Sequence, residues 1–189
     1  MGSNPIARSK NNGSEKKMFL QDVIGEKEII ISLVGGTKDE VLEKLVGVLA
    51  QSNVLSDSGE FLQAVKEREN LESTAIGGEI AIPHARHETV KKIYCAMGIM
   101  REPVEFNSLD GKPVKVVFMV AAPPDMNREY IQVIARAARL LKSDIMTSEI
   151  HKATTSGEIM NVIKDFDKMM RQTSVNVETK EGRVIHKDA

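Results

Sequence analysis

The sequence predicts a single three-layer α/β domain in which a mixed β-sheet is flanked by helices on both faces. Strand-like apolar runs alternate along the chain with segments whose apolar residues recur at helical spacing, which is typical of such folds. The run over residues 114–122 is almost entirely apolar, as expected of a central strand covered on both faces. The 189 residues, 41% of them hydrophobic and 28% charged, are enough for one domain with a substantial core.

A strand and two helices open the predicted domain. Residues 28–34 are mostly apolar and end at a Gly-Gly pair, which favours a strand. Thr37 and Glu40 have the spacing of a capping box, in which the Thr37 side chain serves the amide of Glu40 and the Glu40 side chain reaches back. A helical stripe of apolar residues follows. Asp57 caps a second helix, which we expect to run to about Glu69.

Three strands and three helices complete the prediction. The first of these strands ends at Pro83, which has no amide hydrogen and biases the residue before it toward an extended conformation. We therefore expect His84 to lie on a loop just past that strand, carried by a rigid scaffold. The remaining strands are expected at about 92–101 and 114–122, and the helices at about 127–141, at 144–153 and from a capping box of Thr155 and Glu158 onward.

The two ends of the chain are polar and are predicted to lie outside the domain. Residues 1–17 are rich in Gly, Asn, Ser and Lys, so we expect them to be disordered or in part left over from cloning. Residues 171–189 are similar in composition and are expected to form a flexible C-terminal tail. The folded domain is therefore predicted to cover residues 18–170.

Composition excludes several classes of function. Lys+Arg 26 against Asp+Glu 27 gives a net charge of −1, so no overall field favours nucleic acid. No segment approaches the ~20 apolar residues that cross a bilayer, and the N-terminus has no apolar signal-peptide core. We therefore expect a cytoplasmic protein without membrane insertion. The single cysteine, Cys95, lies in an apolar run and is expected to be a buried residue rather than a reactive thiol.

His84 is the residue best suited to chemistry. Imidazole is a nucleophile near neutral pH, and a covalent adduct needs one free ring nitrogen while a hydrogen bond to the other fixes the tautomer. If the adduct is phosphoryl, a guanidinium is a suitable partner, and Arg68 is the candidate, with Glu69 placed to orient it. Arg86 and Lys91 are nearer in sequence and could add positive potential.

Each of these residues also has an ordinary interpretation. His84 could be a satisfied surface or capping histidine, and Arg68 with Glu69 a solvated pair at a helix end. The preceding Gly77 and Gly78 favour function, because these conformationally permissive residues let backbone amides approach a bound anion.

A metal site or an organic cofactor is poorly supported. His84 and His87 are three residues apart with Glu88 adjacent, but a zinc site needs three or four ligands. The other histidines are His151 and His186, and there is no cysteine cluster. No P-loop, dinucleotide-binding glycine motif or serine nucleophile elbow is present, so the sequence implies no metal and no cofactor.

The segment from Arg68 to His84 resembles the signature of a known family. Arg68-Glu69 and four further residues are followed by the run Thr74-Ala75-Ile76-Gly77-Gly78-Glu79-Ile80-Ala81-Ile82-Pro83-His84. This is similar to enzyme IIA of the bacterial phosphoenolpyruvate-dependent sugar phosphotransferase system, in the fructose/mannitol (type 2) branch that includes the nitrogen-regulatory paralogue. The resemblance extends through residues 109–114 and covers about residues 18–166, and it implies the mixed sheet with flanking helices of that family.

The resemblance implies a phosphotransferase with a phosphohistidine intermediate and no cofactor. His84 would accept phosphate on its tele nitrogen from the phosphocarrier HPr and pass it to a IIB domain, with Arg68 pairing with the phosphate. Glu69, Thr74 and Tyr130 would support this site. Tyr130 stands where family members commonly carry a second histidine, and a phenol, which is neutral at pH 7, cannot supply that histidine's positive charge.

Two other interpretations stay open. The first is a regulatory module of the nitrogen type, which binds a regulated protein and uses phosphorylation of His84 as its switch. The missing second histidine and the lack of a fused IIB or membrane segment favour it. The second is a relative that keeps the fold but has lost phosphotransfer, in which Arg68 and His84 would not share an open concavity.

Overall fold

The predicted α/β architecture is confirmed by a computed structural model, which describes residues 17–185 and their side chains as far as residue 172. Two short 3-10 turns, Leu20–Asp22 and Glu26–Glu28, precede the first strand. The elements then follow in the order β1 (Ile29–Leu33), α1 (Lys38–Gln51), α2 (Ser58–Leu71), β2 (Ala75–Gly77), β3 (Ile80–Ala81), β4 (His84–Arg86), β5 (Tyr94–Val104), β6 (Val114–Ala122), α3 (Asn127–Leu141), α4 (Asp144–Lys152) and α5 (Ser156–Ile185).

The six strands form one mixed sheet in the order β1-β5-β6-β3-β2, with β4 also paired to β6. β5 and β6 are antiparallel, while β1 runs parallel to β5, and β3 and β4 run parallel to β6. The long apolar strand β6 is therefore central, as its composition predicted.

Helices cover both faces of this sheet, which gives the three layers predicted. On one face, α1 and α2 bury residues such as Leu42 and Phe61 against Met119. On the other face, α3, α4 and α5 pack against the side of β6 that carries Phe118. Cys95 of β5 is fully buried, and burial raises the pKa of its thiol.

Helix starts follow the capping signals, with one difference. Thr37 Oγ1 accepts a hydrogen bond from the amide of Glu40 at 3.3 Å, as predicted, but the Glu40 carboxylate accepts from the amide of Gly36 at 2.8 Å. The reciprocal half of that capping box is therefore displaced by one residue. The box at Thr155 and Glu158 forms in both directions, with both hydrogen bonds at 3.2 Å.

Two short strands near Pro83 correct the sequence prediction. β2 was not predicted, and His84 does not lie on a loop but begins β4. Pro83 has no amide hydrogen to donate, yet its carbonyl accepts from Val120 of β6 at 2.9 Å. The chain thereby stays on β6 after the proline, and His84 pairs with Val120.

The predicted ends of the domain stay a prediction. α5 continues to Ile185, so residues 171–185 of the expected tail are helical in the structure. Residues 1–16 and 186–189 lie outside the described part of the chain. Across residues 17–185, no helix has both the length and the apolar content that a bilayer crossing requires.

Candidate active site

The imidazole of His84 is held by a hydrogen bond to the backbone that connects β3 to β4. Its Nδ1 atom lies 2.6 Å from the carbonyl oxygen of Ile82, two residues earlier. A carbonyl oxygen can only accept a hydrogen bond, so Nδ1 carries the proton. Nε2 is then left with its lone pair, which is the state in which a ring nitrogen acts as a nucleophile.

Burial keeps this imidazole neutral. Desolvation lowers the pKa of His84 below its usual value of 6.5, and the nearby charge of Arg68 lowers it further. The hydrogen bond to Ile82 and the carboxylate of Glu69 act in the opposite direction, with a smaller combined effect. At neutral pH the ring is therefore uncharged and available for bond formation.

His84 opens onto a surface concavity of about 750 Å³. Its wall combines positive, aromatic and apolar side chains, among them Arg68, Leu71, Arg86, His87 and Tyr130. This is room enough for an anionic group on the ring nitrogen and for a side chain that delivers it.

Arg68 reaches this concavity from the last turn of α2. Its Nη1 atom donates to the carbonyl oxygen of Glu72 at 3.1 Å, which holds the guanidinium at the helix end. Its charge lowers the pKa of both His84 and Tyr130, although burial outweighs it at Tyr130 and raises the pKa of that phenol overall. The structure thus brings together the arginine and the histidine that the sequence singled out.

Glu69 does not orient Arg68, contrary to the prediction. It is buried, and its carboxylate accepts hydrogen bonds from the amide of Thr74 at 3.2 Å and from the Thr74 hydroxyl at 2.5 Å. Lys38 Nζ lies 3.5 Å away. The carbonyl of Thr74 in turn accepts from the amide of Ile82 at 3.0 Å. Glu69 and Thr74 therefore connect α2 to the residue whose carbonyl holds the histidine ring.

Gly77 and Gly78 have positive φ angles, +76° and +66°, as expected of conformationally permissive glycines. Their turn binds a carboxylate of the protein itself rather than an anion at the histidine. The amide of Gly78 donates to the side chain of Asp110 at 2.8 Å. Together the hydroxyl of Ser108 and this amide lower the pKa of Asp110 to about 2. This turn lies at the opposite end of β3 from His84, so its amides do not cradle an anion at the histidine.

Tyr130 packs directly against the histidine. The two rings meet edge to face with centroids 5.8 Å apart, and the guanidinium carbon of Arg86 lies 5.5 Å from the Tyr130 centroid. Arg86 Nη1 donates to Asn127 Oδ1 at 2.8 Å and to the carbonyl of Pro124 at 3.4 Å. Asn127 was not among the predicted site residues, although its place at the start of a helix after a Pro-Pro pair indicated it.

Two other basic groups near His84 in sequence have different surroundings. Lys91 donates to the carbonyl of Asn53 at 3.3 Å and is exposed. His87 lines the concavity, with Nδ1 2.9 Å from the hydroxyl of Thr89. No group of three or more potential metal ligands occurs among residues 17–172, whose side chains the structure describes.

The mixed sheet and this site define a class: an α/β domain that presents a neutral, oriented imidazole beside a guanidinium, as transfer of an anionic group to nitrogen requires. Comparison with known proteins is more specific. Residues 22–166 match the family model described as phosphoenolpyruvate-dependent sugar phosphotransferase system, EIIA 2. The chain belongs to this family of phosphoryl-transfer domains, as the sequence resemblance indicated.

Three relatives illustrate the range of the family. The fructose-specific EIIABC component of the Bacillus subtilis phosphotransferase system is 30% identical over 151 residues, which is 80% of this chain but only 24% of that protein. A nitrogen regulatory protein of Bradyrhizobium diazoefficiens is 27% identical over 146 residues, covering 77% of this chain and 95% of that protein. The crystal structure of the nitrogen regulatory protein IIA-Ntr from Neisseria meningitidis matches with a TM-score of 0.71 at 26% identity, covering 76% of this chain and 97% of that one.

Proposed function

We propose that this chain is a phosphoryl relay that takes phosphate onto Nε2 of His84 from the phosphocarrier HPr and passes it to a IIB domain. The Nε2 lone pair forms the new bond to phosphorus, while the bond between phosphorus and the carrier's ring nitrogen breaks and its electron pair returns to that nitrogen. The proton stays on Nδ1 and is donated in a hydrogen bond to the Ile82 carbonyl oxygen, which stabilises the positive charge that the ring gains.

The remaining work is positioning and charge stabilisation. The transferred group carries negative charge on several oxygens, and a planar guanidinium can donate to two of them at once, so Arg68 is assigned to the phosphate. The reaction as written needs no metal and no organic cofactor. HPr and a IIB domain are cytoplasmic partners in this proposal, and the chain is placed in the cytoplasm with them.

The observation that carries this proposal is the hydrogen bond from Nδ1 of His84 to Ile82, which leaves Nε2 as the nucleophile in a concavity shared with Arg68. Incubation with phosphoenolpyruvate, enzyme I and HPr should place an acid-labile, base-stable label on His84, and ³¹P NMR should identify the Nε2 isomer. The His84→Ala variant should take no label. Equal labelling of wild type and His84→Ala would refute the proposal.

A regulatory role is the second candidate, and one observation favours it. The fold matches the nitrogen regulatory protein IIA-Ntr from Neisseria meningitidis with a TM-score of 0.71, compared with 0.64 for IIA mannitol from Escherichia coli. In this role, phosphorylation of His84 would switch binding to a regulated protein. Phospho-protein that passes its phosphate rapidly to a IIB domain supports the relay. Phospho-protein that resists this transfer, while His84→Asp and His84→Ala differ in binding one purified partner, supports regulation.

A further inference from the structure

We propose that Arg86 is a second phosphate-binding guanidinium, which with Arg68 holds the phosphoryl group on His84 from two sides. This inference rests on the proposed phosphorylation of His84. It assigns to a residue of this chain the positive charge that the neutral Tyr130 cannot supply.

Strand geometry brings Arg86 to the histidine's side of the sheet. Alternate residues of a strand face the same side, so His84 and Arg86 share one face of β4 while the intervening Ala85, only 5% exposed, turns into the core. Both side chains line the concavity. They also contact the same Tyr130 ring, at 5.8 Å and 5.5 Å from its centroid.

The guanidinium of Arg86 is held in place before any ligand arrives. Asn127 Oδ1 and the carbonyl of Pro124 both accept hydrogen bonds from Nη1, and the face of the Tyr130 ring packs against the guanidinium. Both hydrogen bonds use one nitrogen, and a guanidinium has five N–H donors, so Nε and Nη2 still have donors to offer a phosphate. A preorganised donor loses less conformational entropy on binding.

The charge around the phosphoryl group favours a second cation. A phosphoryl group carries about −1.5 to −2 charges at neutral pH, and the concavity also contains the carboxylate of Glu67. Arg68 and the positive charge that the ring gains offset only part of this negative charge. Burial raises the pKa of the Tyr130 phenol, so the phenol keeps its proton. The positive charges of Arg86 and Arg68 both lower this pKa, which places both guanidinium groups near the phenol. The two guanidinium groups therefore converge on one region of the concavity, where a neutral tyrosine can add a hydrogen bond but no charge.

The test compares Arg86→Gln and Arg86→Lys with Arg68→Gln, and uses Arg101→Gln as a matched control. Arg101 is exposed on β5 and is not part of the concavity. We expect Arg86→Gln to lower the initial rate of phosphorylation by phospho-HPr about tenfold, since it loses charge-assisted hydrogen bonds. Arg86→Lys should recover part of the rate because it keeps the charge without the planar fork. Arg101→Gln should match wild type.

A ³¹P titration of the phosphorylated proteins separates phosphate binding from a merely structural role. Loss of a neighbouring cation should raise the second pKa of the phosphoryl group in Arg86→Gln and leave it unchanged in Arg101→Gln. Labelling of Arg86→Gln at the wild-type rate with an unchanged titration would overturn the role of Arg86 alone. Failure of the wild-type protein to take label at His84 would overturn the proposed function, and the assignment of Arg86 with it.

Discussion

Replacing Glu69 by alanine should destabilise the fold far more than an ordinary glutamate substitution. Glu69 is 4% exposed, and its carboxylate accepts from both the amide and the hydroxyl of Thr74, which is 5% exposed. Its removal leaves two buried donors without partners, at a cost of about 1–3 kcal/mol each. We therefore expect the free energy of unfolding to fall by about 3–4 kcal/mol.

Urea denaturation followed by circular dichroism measures this change, provided that the dependence on urea concentration keeps its slope. Glu67→Ala is the matched control, because Glu67 lies on the same helix but is exposed, and it should change stability by less than about 0.5 kcal/mol. Thr74→Val removes the hydroxyl donor, so its effect and that of Glu69→Ala should be non-additive by about 1 kcal/mol or more. A loss below about 1 kcal/mol in Glu69→Ala would show that these hydrogen bonds do not hold α2 to the sheet.

Four further predictions concern the site and its surroundings. Burial lowers the pKa of His84 below 6.5, so the phosphorylation rate should stay constant as pH falls through 6.5 and decline only near the lower pKa. NMR titration of the ring measures this pKa, and a midpoint at or above 6.5 would contradict the prediction. The same shift should reduce stability as pH falls below 6.5, since the unfolded chain binds the proton first. Tyr130→Phe keeps the ring beside His84 and Arg86, so it should cost less than about threefold in rate, whereas Tyr130→Ala should cost more. Gly78→Ala puts a Cβ on a residue with φ of +66° and 3.3 Å from Lys142 Nζ, and should cost about 1–2 kcal/mol in thermal unfolding without changing the labelling rate of His84.

Most helices and the long strands could be predicted from the sequence because their signals are local. The nearly continuous apolar run of β6 and the apolar periodicity of α3 gave bounds close to those observed, 114–122 and 127–141. Asp57 caps α2 as predicted, with its side chain accepting from Glu60 at 2.9 Å. Such features depend on neighbours a few residues away.

The short strands beside the site were missed because their pairing is long-range. β4 has three residues and exists because β6, more than thirty positions later in the chain, offers it a parallel edge. Pro83 correctly marked an interruption, but nothing local shows that the chain resumes the same ladder one residue later. The loop prediction for His84 failed for that reason.

The site residues were identified better than their contacts. His84 and Arg68 were predicted and share one concavity, whereas Glu69 was assigned to the wrong partner. Adjacent helix residues point in directions about 100° apart, so Arg68 can face the concavity while Glu69 faces the core. The link from Arg86 to Asn127 spans 41 positions and depends on how α3 packs on the sheet, which spacing alone does not reveal.

The buried cysteine of β5 has a practical consequence. Val120 of β6 pairs with Cys95 on one side and with His84 on the other, so the thiol and the imidazole belong to one row across the sheet. A thiol with a raised pKa inside the core reacts with an alkylating reagent only when the structure around it opens. The rate of Cys95 alkylation therefore reports how often the structure around this row of residues opens. Comparing that rate with and without phosphate on His84 would show whether the charged group tightens or loosens the sheet, with no introduced probe.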